Sequence, residues 1–216
     1  MFISKIQLDP MKRETARALQ NRELFHAAFE NSVEGVRPHV LWRLEPDFSI
    51  LAVSNEIPYL GDIQTQFGND RIRPSCKPYD PYLGTIHTGD LMRFRISVNP
   101  VINKSDGSKN GKDVPLNLRR TKNYPFSAED WTKKKLEERG VSICNIRDIS
   151  HETVYFVKDG RRIPIFMVSY SGLFKVTDAD QLRDAMQKGI GGKRTYGCGL
   201  LTAVIVLNDK ILGIIQ

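Results

Sequence analysis

Polar and apolar positions alternate at the start of the chain, where Phe2, Ser4, Ile6 and Leu8 interleave with Ile3, Lys5 and Gln7. A period of two predicts a strand, and Asp9-Pro10 stops it. From residue 12 to residue 31 the period becomes helical: Ala18, Phe25, Phe29 and Val33 fall on one face, with His26 at its margin beside Leu19 and Glu30. A histidine at such an edge can rest its ring on the core and leave its nitrogens open to a cleft. Residues 36–45 and 48–53 read as two strands about a turn at Glu45-Pro46-Asp47. Periodicity is low from 54 to 89, where a weak helix near 59–67 and a strand near 71–78 are expected. Strand, helix, strand, strand, helix, strand is the split βαβ order of a ferredoxin-like unit.

The order recurs. Residues 90–98 alternate as a strand up to Asn99-Pro100, and 127–139 read as a helix with Ser127 as N-cap and Asp130 approximating a capping box. Residues 141–149 and 154–157 are strand-like, 163–175 form a long strand, 177–188 a helix capped by Thr177, and 199–207 the last strand. The pattern predicts an α+β chain of tandem ferredoxin-like (RRM-like) βαββαβ domains, divided at 1–88 and 89–216. Element order alone carries this expectation, since the halves share no visible sequence identity.

Length allows one large domain or two small ones. The formal charge of +7 favours an acidic partner. Much of it gathers in residues 101–123, where Lys104, Lys109, Lys112, Arg119, Arg120 and Lys122 face only Asp106 and Asp113. Ser, Gly and Asn make the first part of that segment a hairpin tip or loop. It is either a solvated loop or an electrostatic footprint for a phosphate backbone. Cys76, Cys144 and Cys198 are far apart with no paired metal-ligand spacing, which fits a reducing cytosol and calls for no metal and no cofactor. Apolar runs are strand-sized and charges lie among the first fourteen residues, so neither a membrane span nor a signal peptide is expected.

Residues 186–201, MQKGIGGKRTYGCGLL, set Gly189, Gly191, Gly192, Gly197 and Gly199 around Lys193 and Arg194. Glycine costs folding entropy, so such density implies unusual dihedrals or close approach to a ligand. Backbone N–H groups with Lys and Arg suit phosphate. The loop lacks the Gly-Lys-Ser/Thr ending of nucleotide hydrolases, and it follows a helix where the dinucleotide fingerprint would open one. A glycine-rich helix stop before a core strand is the plain alternative. Near a C-terminus, the arrangement resembles the signature loop of the repeat-associated RNA-binding superfamily of CRISPR proteins.

Further segments agree. MFISKIQLDP, LFHAAF around His26, GDLMRFRISVNP, the basic loop ending in Val114-Pro115-Leu116, SGLFKVTDADQL and GIGGKRTYGCGLL occur in the order of the CasE family, which the chain resembles over nearly its whole length. The resemblance implies an endoribonuclease that binds the stem-loop of each CRISPR repeat in precursor crRNA. It further implies one metal-independent cut at the 3′ base of the stem, retention of the mature crRNA, a place among Cascade subunits and a cytoplasmic location.

Metal-free RNA cleavage uses the neighbouring 2′-hydroxyl as nucleophile, leaving a 2′,3′-cyclic phosphate and a 5′-hydroxyl. It needs a proton carrier near neutral pH, which His26 can supply, and cations or N–H donors for the phosphorane, for which Lys193, Arg194 and the glycine loop are candidates. In the family pattern a tyrosine often stands one turn before the histidine, where this chain has Glu23. An ionised carboxylate cannot replace a phenol as donor, although it can orient the imidazole or raise its pKa, as can Glu30. Tyr196 and Arg22 are the remaining substitutes. An A-form stem is recognised mainly by backbone shape, which a basic hairpin at 104–122 could track. Tyr196, Phe126 or Trp131 could stack on a base or belong to the core. His39, His87 and His151 match no motif and are read as structural. The rival classes are a non-catalytic RNA-binding subunit of the same fold and a nucleotide-binding metabolic enzyme.

Overall fold

A computed structural model describes residues 1–35, 39–104, 112–122, 125–158 and 161–206. In it β1 (Phe2–Gln7) leads to α1 (Arg13–Gln20), α2 (Glu23–Ser32), β2 (Val40–Leu44), β3 (Ser49–Ser54), α3 (Leu60–Phe67) and β4 (Ser75–Pro78). A short helix, α4 (Asp80–Gly84), connects to β5 (Leu91–Val98), the hairpin β6 (Val101–Lys104) and β7 (Lys112–Pro115), and α5 (Ala128–Glu137). The chain continues through β8 (Val141–Lys158), β9 (Arg161–Val176), α6 (Ala179–Lys188), a 3-10 turn (Arg194–Tyr196) and β10 (Thr202–Ile205). Two antiparallel four-stranded sheets result, ordered β2-β3-β1-β4 and β10-β5-β9-β8. In each, the first and third strands of the unit form the central pair, so both halves are ferredoxin-like.

Alternation along β1 sets the layering. Ser4, Ile6 and Leu8 are buried on one face; Ile6 and Leu8 join Trp42, Ile50 and Ala52 beneath Ala18, Phe25, Phe29, Val33, Ile63 and Phe67. The opposite face of the same sheet, with Ile3, Leu41, Leu51 and Val53, packs into the core of the second sheet together with Tyr79, Leu83 and Ile86. Arg43 spans this junction. Its buried guanidinium donates to the carbonyls of Arg95 and Leu200 and to Thr202 Oγ1, each at 2.8 Å, while Glu45 accepts from its Nε at 2.8 Å. Among the described residues no helix is long and apolar enough to cross a membrane.

Several boundaries differ from the sequence reading for identifiable reasons. The single helix expected over 12–31 is two helices, because Asn21 adopts an extended conformation (φ −131°, ψ 90°) and its side chain accepts from the N–H of Glu23. Short polar side chains compete with the helix in this way. Asp178, rather than Thr177, caps α6, accepting from the N–H groups of Asp180 and Gln181 at 3.0 Å. The two segments 141–149 and 154–157 are one 18-residue strand whose register shifts at Ile143/Asn145 and Asp148/Ser150 disturb its alternation. The early strands begin later than expected, at Val40 and Ser75, residues 36–38 lying outside the described residues, and α4 had no periodic signal. The expected capping box on α5 is present.

Candidate active site

The helix α2 carries His26 to the junction of the halves. Its core face is fixed by Phe25 and Phe29, which turns the next position to the margin. The same helix packs against the 3-10 turn 194–196, so the first-half helix meets the last loop. Nε2 of His26 lies 3.1 Å from Oε1 of Glu30, whereas Nδ1 is buried without a partner. Burial holds the imidazole below its ordinary pKa, and the carboxylates of Glu30 and Glu23 oppose that shift.

Tyr196 stands on the turn that packs against this helix. Its ring centre is 4.6 Å from that of Phe156, and burial followed by the Glu23 carboxylate raises its phenol, keeping it a protonated donor. Lys193 Nζ lies 5.9 Å from the centre of the same Phe156 ring. Phe156 therefore supports both the phenol and the ammonium, and Glu23 acts electrostatically on both His26 and Tyr196.

The glycine loop divides into scaffold and open surface. Gly189, Gly197 and Gly199 are buried at φ 77°, 90° and 90°. A Cβ on Gly197 would fall 2.9 Å from the Trp42 ring, and one on Gly199 would fall 2.8 Å from the Ile190 carbonyl. The close approach these glycines permit is thus to the protein itself. Gly191 has φ 80° beside Trp131. Gly192 is exposed and needs no positive φ, and a Cβ added there would meet nothing within 4 Å. Lys193, exposed and left-handed at φ 61°, follows it. The N–H groups of Gly189, Ile190, Gly197 and Gly199 are bonded to backbone carbonyls. Arg194 is exposed but folds back, its Nε donating to Gly191 O at 3.2 Å and its Nη2 to Gly189 O at 3.4 Å.

The expected basic hairpin exists as β6 and β7, with Lys104 exposed at its described end. Lys109 and the side chain of Lys112 lie outside the described residues. Arg119 and Lys122 are exposed. Arg120 is not a free cation: Nε donates to Asp130 Oδ2 at 2.7 Å, and Nη2 also donates to that carboxylate. Trp131 packs on the core beside Gly191, while Phe126 is exposed. His39 Nε2 is 2.9 Å from Gln187 O, a structural contact.

Two contacts of the site had no signal in the sequence. Arg22, 5% exposed, reaches Glu152 on β8, and Phe156 on the same strand floors the turn. Arg22 meets its partner across more than a hundred positions, and Phe156 lies against a loop from another part of the chain, neither of which local periodicity encodes.

Residues 1–204 match the protein family described as CRISPR associated protein. The CRISPR system Cascade subunit CasE of Escherichia coli is 31% identical over 121 residues, 54% of this chain and 59% of that protein. The CRISPR-associated endoribonuclease Cse3 of Thermus thermophilus is 26% identical over 221 aligned positions, covering 94% of this chain and 99% of that protein. The fold is also that of Thermus thermophilus Cse3 bound to an RNA representing a pre-cleavage complex, with a TM-score of 0.75 at 22% identity over 94% of this chain and 98% of that one.

Proposed function

The chain belongs to the CRISPR associated protein family, and from that premise we propose that it is a metal-independent endoribonuclease of precursor crRNA. It binds the stem-loop of a CRISPR repeat, cuts once at the 3′ base of the stem and stays on the mature crRNA as a cytoplasmic Cascade subunit. Residues 1–88 contribute His26, and residues 89–216 contribute the basic hairpin and the glycine loop. The relatives named above as a Cascade subunit and an endoribonuclease support this reading.

The observation that carries it is the packing of α2 on the turn that bears Tyr196 and adjoins Lys193. One phosphate between them would meet an imidazole, a phenol and an ammonium. His26 moves a proton, as general acid or base, while the 2′-hydroxyl attacks and the 5′-oxygen leaves, and Lys193 offsets the charge that builds on the phosphorane. Tyr196, held protonated, is a second donor from a position where Glu23 cannot serve.

Labelled repeat hairpin incubated with the protein in EDTA tests this. The expected products carry a 2′,3′-cyclic phosphate and a 5′-hydroxyl; tight binding without a cut contradicts the nuclease and favours a binding subunit.

A further inference from the structure

The two ring nitrogens of His26 are in different situations. Nδ1 is buried and unpartnered, while Nε2 meets Glu30, whose side chain is 46% exposed. A carboxylate at 3.1 Å from Nε2 is an attractive contact only if that nitrogen carries a hydrogen, because the carboxylate is acceptor-only when ionised. The pair is one turn apart on α2, so the helix itself sets the approach.

We propose that Glu30 is a positioning residue for His26, keeping a hydrogen on Nε2 so that this nitrogen meets the RNA as a proton donor. The inference rests on the cleavage reading above. In the step it serves, the 2′-oxygen forms a bond to phosphorus and its proton leaves to water. His26 enters this step as the imidazolium. The bond from phosphorus to the 5′-oxygen breaks, its electron pair goes to that oxygen, and the Nε2 proton turns from Glu30 to it. His26 is left neutral.

The surroundings agree with a donor that needs help. Burial disfavours the imidazolium, and Glu30 and then Glu23 are the carboxylates that oppose that shift in part. Across the packed turn stand Lys193, Arg194 and Tyr196, with Arg194 folded onto loop carbonyls. Arg22 at the start of α2 is neutralised by Glu152, and Arg43 on β2 by Glu45. Of the neighbouring helices, α1 brings Arg13, Glu14 and Arg17, and α3 brings Asp62. Glu30 is the only one of these groups whose contact with the ring is a direct pair among the described residues.

The test is the pH dependence of single-turnover hairpin cleavage by Glu30→Gln, a surface change that keeps the side chain's shape. A donor loses activity as pH rises through its pKa. Without Glu30 that fall begins at lower pH and the rate on the alkaline side drops several-fold, with hairpin affinity within a few-fold of the parent. Substrate with sulfur at the bridging 5′ position supplies a leaving group that needs no proton, and it restores both Glu30→Gln and His26→Ala toward the parent rate. An unmoved fall, or no rescue by sulfur, overturns this inference while an inactive His26→Ala leaves the nuclease reading standing. Full cleavage of ordinary RNA by His26→Ala instead removes the reading beneath it.

Discussion

Nη2 of Arg22 donates to both carboxylate oxygens of Glu152, at 3.0 and 2.9 Å, and so ties the start of the His26 helix to the long strand β8 of the other half. Arg22 is 5% exposed, whereas the Glu152 side chain is 49% exposed. Loss of the carboxylate leaves a buried guanidinium without its counter-charge. Loss of the guanidinium leaves an acid that can hydrate.

The two partners should therefore be unequal under mutation. Glu152→Ala is expected to cost about 2–3 kcal/mol, below the full penalty for breaking a buried pair because Glu152 is half in solvent. Arg22→Met, which keeps an unbranched apolar stem in place, should cost less. Urea unfolding midpoints of the two variants decide the order, and equal losses would contradict it.

The glycine loop should separate scaffold from surface. Gly197→Ala places a Cβ 2.9 Å from the Trp42 ring at φ 90°, so it should destabilise by about 1–3 kcal/mol. Gly192→Ala meets nothing, and its stability should change by no more than about 0.5 kcal/mol. If the exposed side of the loop receives phosphate, Gly192→Ala still weakens hairpin binding. Thermal unfolding beside equilibrium binding of both variants checks this.

That division also shows what could be read in advance. The glycine pattern announced a loop of unusual backbone, yet three of its glycines serve approach to Trp42, Leu41 and the Ile190 carbonyl, which a one-dimensional pattern cannot name. The two-unit order was legible because β1, β5 and α5 carry clean periods and a capping box. The break at Asn21 was not, since the apolar face from Ala18 to Phe29 continues in phase across it. His26 at a helix margin followed from the same phase. Its contact with Glu30 was foreseeable from i,i+4 spacing; Arg22 with Glu152 and Tyr196 with Phe156 required the tertiary fold.

Neighbouring arginines should differ in salt dependence. Arg119 is exposed and has no acidic partner among the described residues, whereas Arg120 is held by Asp130. Arg119→Ala should weaken hairpin binding and reduce the slope of log affinity against log salt by about one, and Arg120→Ala should do so less. Binding titrations at several salt concentrations measure both; equal slopes would remove the distinction.

Ser127 and Asp130 form a complete capping box, with Ser127 Oγ accepting from the Asp130 N–H at 3.2 Å and Asp130 accepting from the Ser127 N–H at 2.9 Å. Ser127→Ala should cost about 1 kcal/mol. Hydrogen bonding by Arg120 foremost, then by Ser127, holds the Asp130 carboxyl far below the usual carboxylate range. A carboxyl depressed on folding stabilises above its unfolded pKa, and that contribution fades as pH falls toward its folded value. Acid should accordingly narrow the gap between the parent and Asp130→Asn, which urea midpoints near neutral pH and at low pH would reveal.

The most direct measurement is cleavage of the repeat hairpin by His26→Ala under single-turnover conditions, with hairpin affinity measured on the same preparation. The rate is predicted to fall by about 10²–10⁴-fold, as for loss of a general acid or base, with affinity within a few-fold because one imidazole neutralises little phosphate. Cleavage near the parent rate would contradict the account, and so would parallel loss of cleavage and binding.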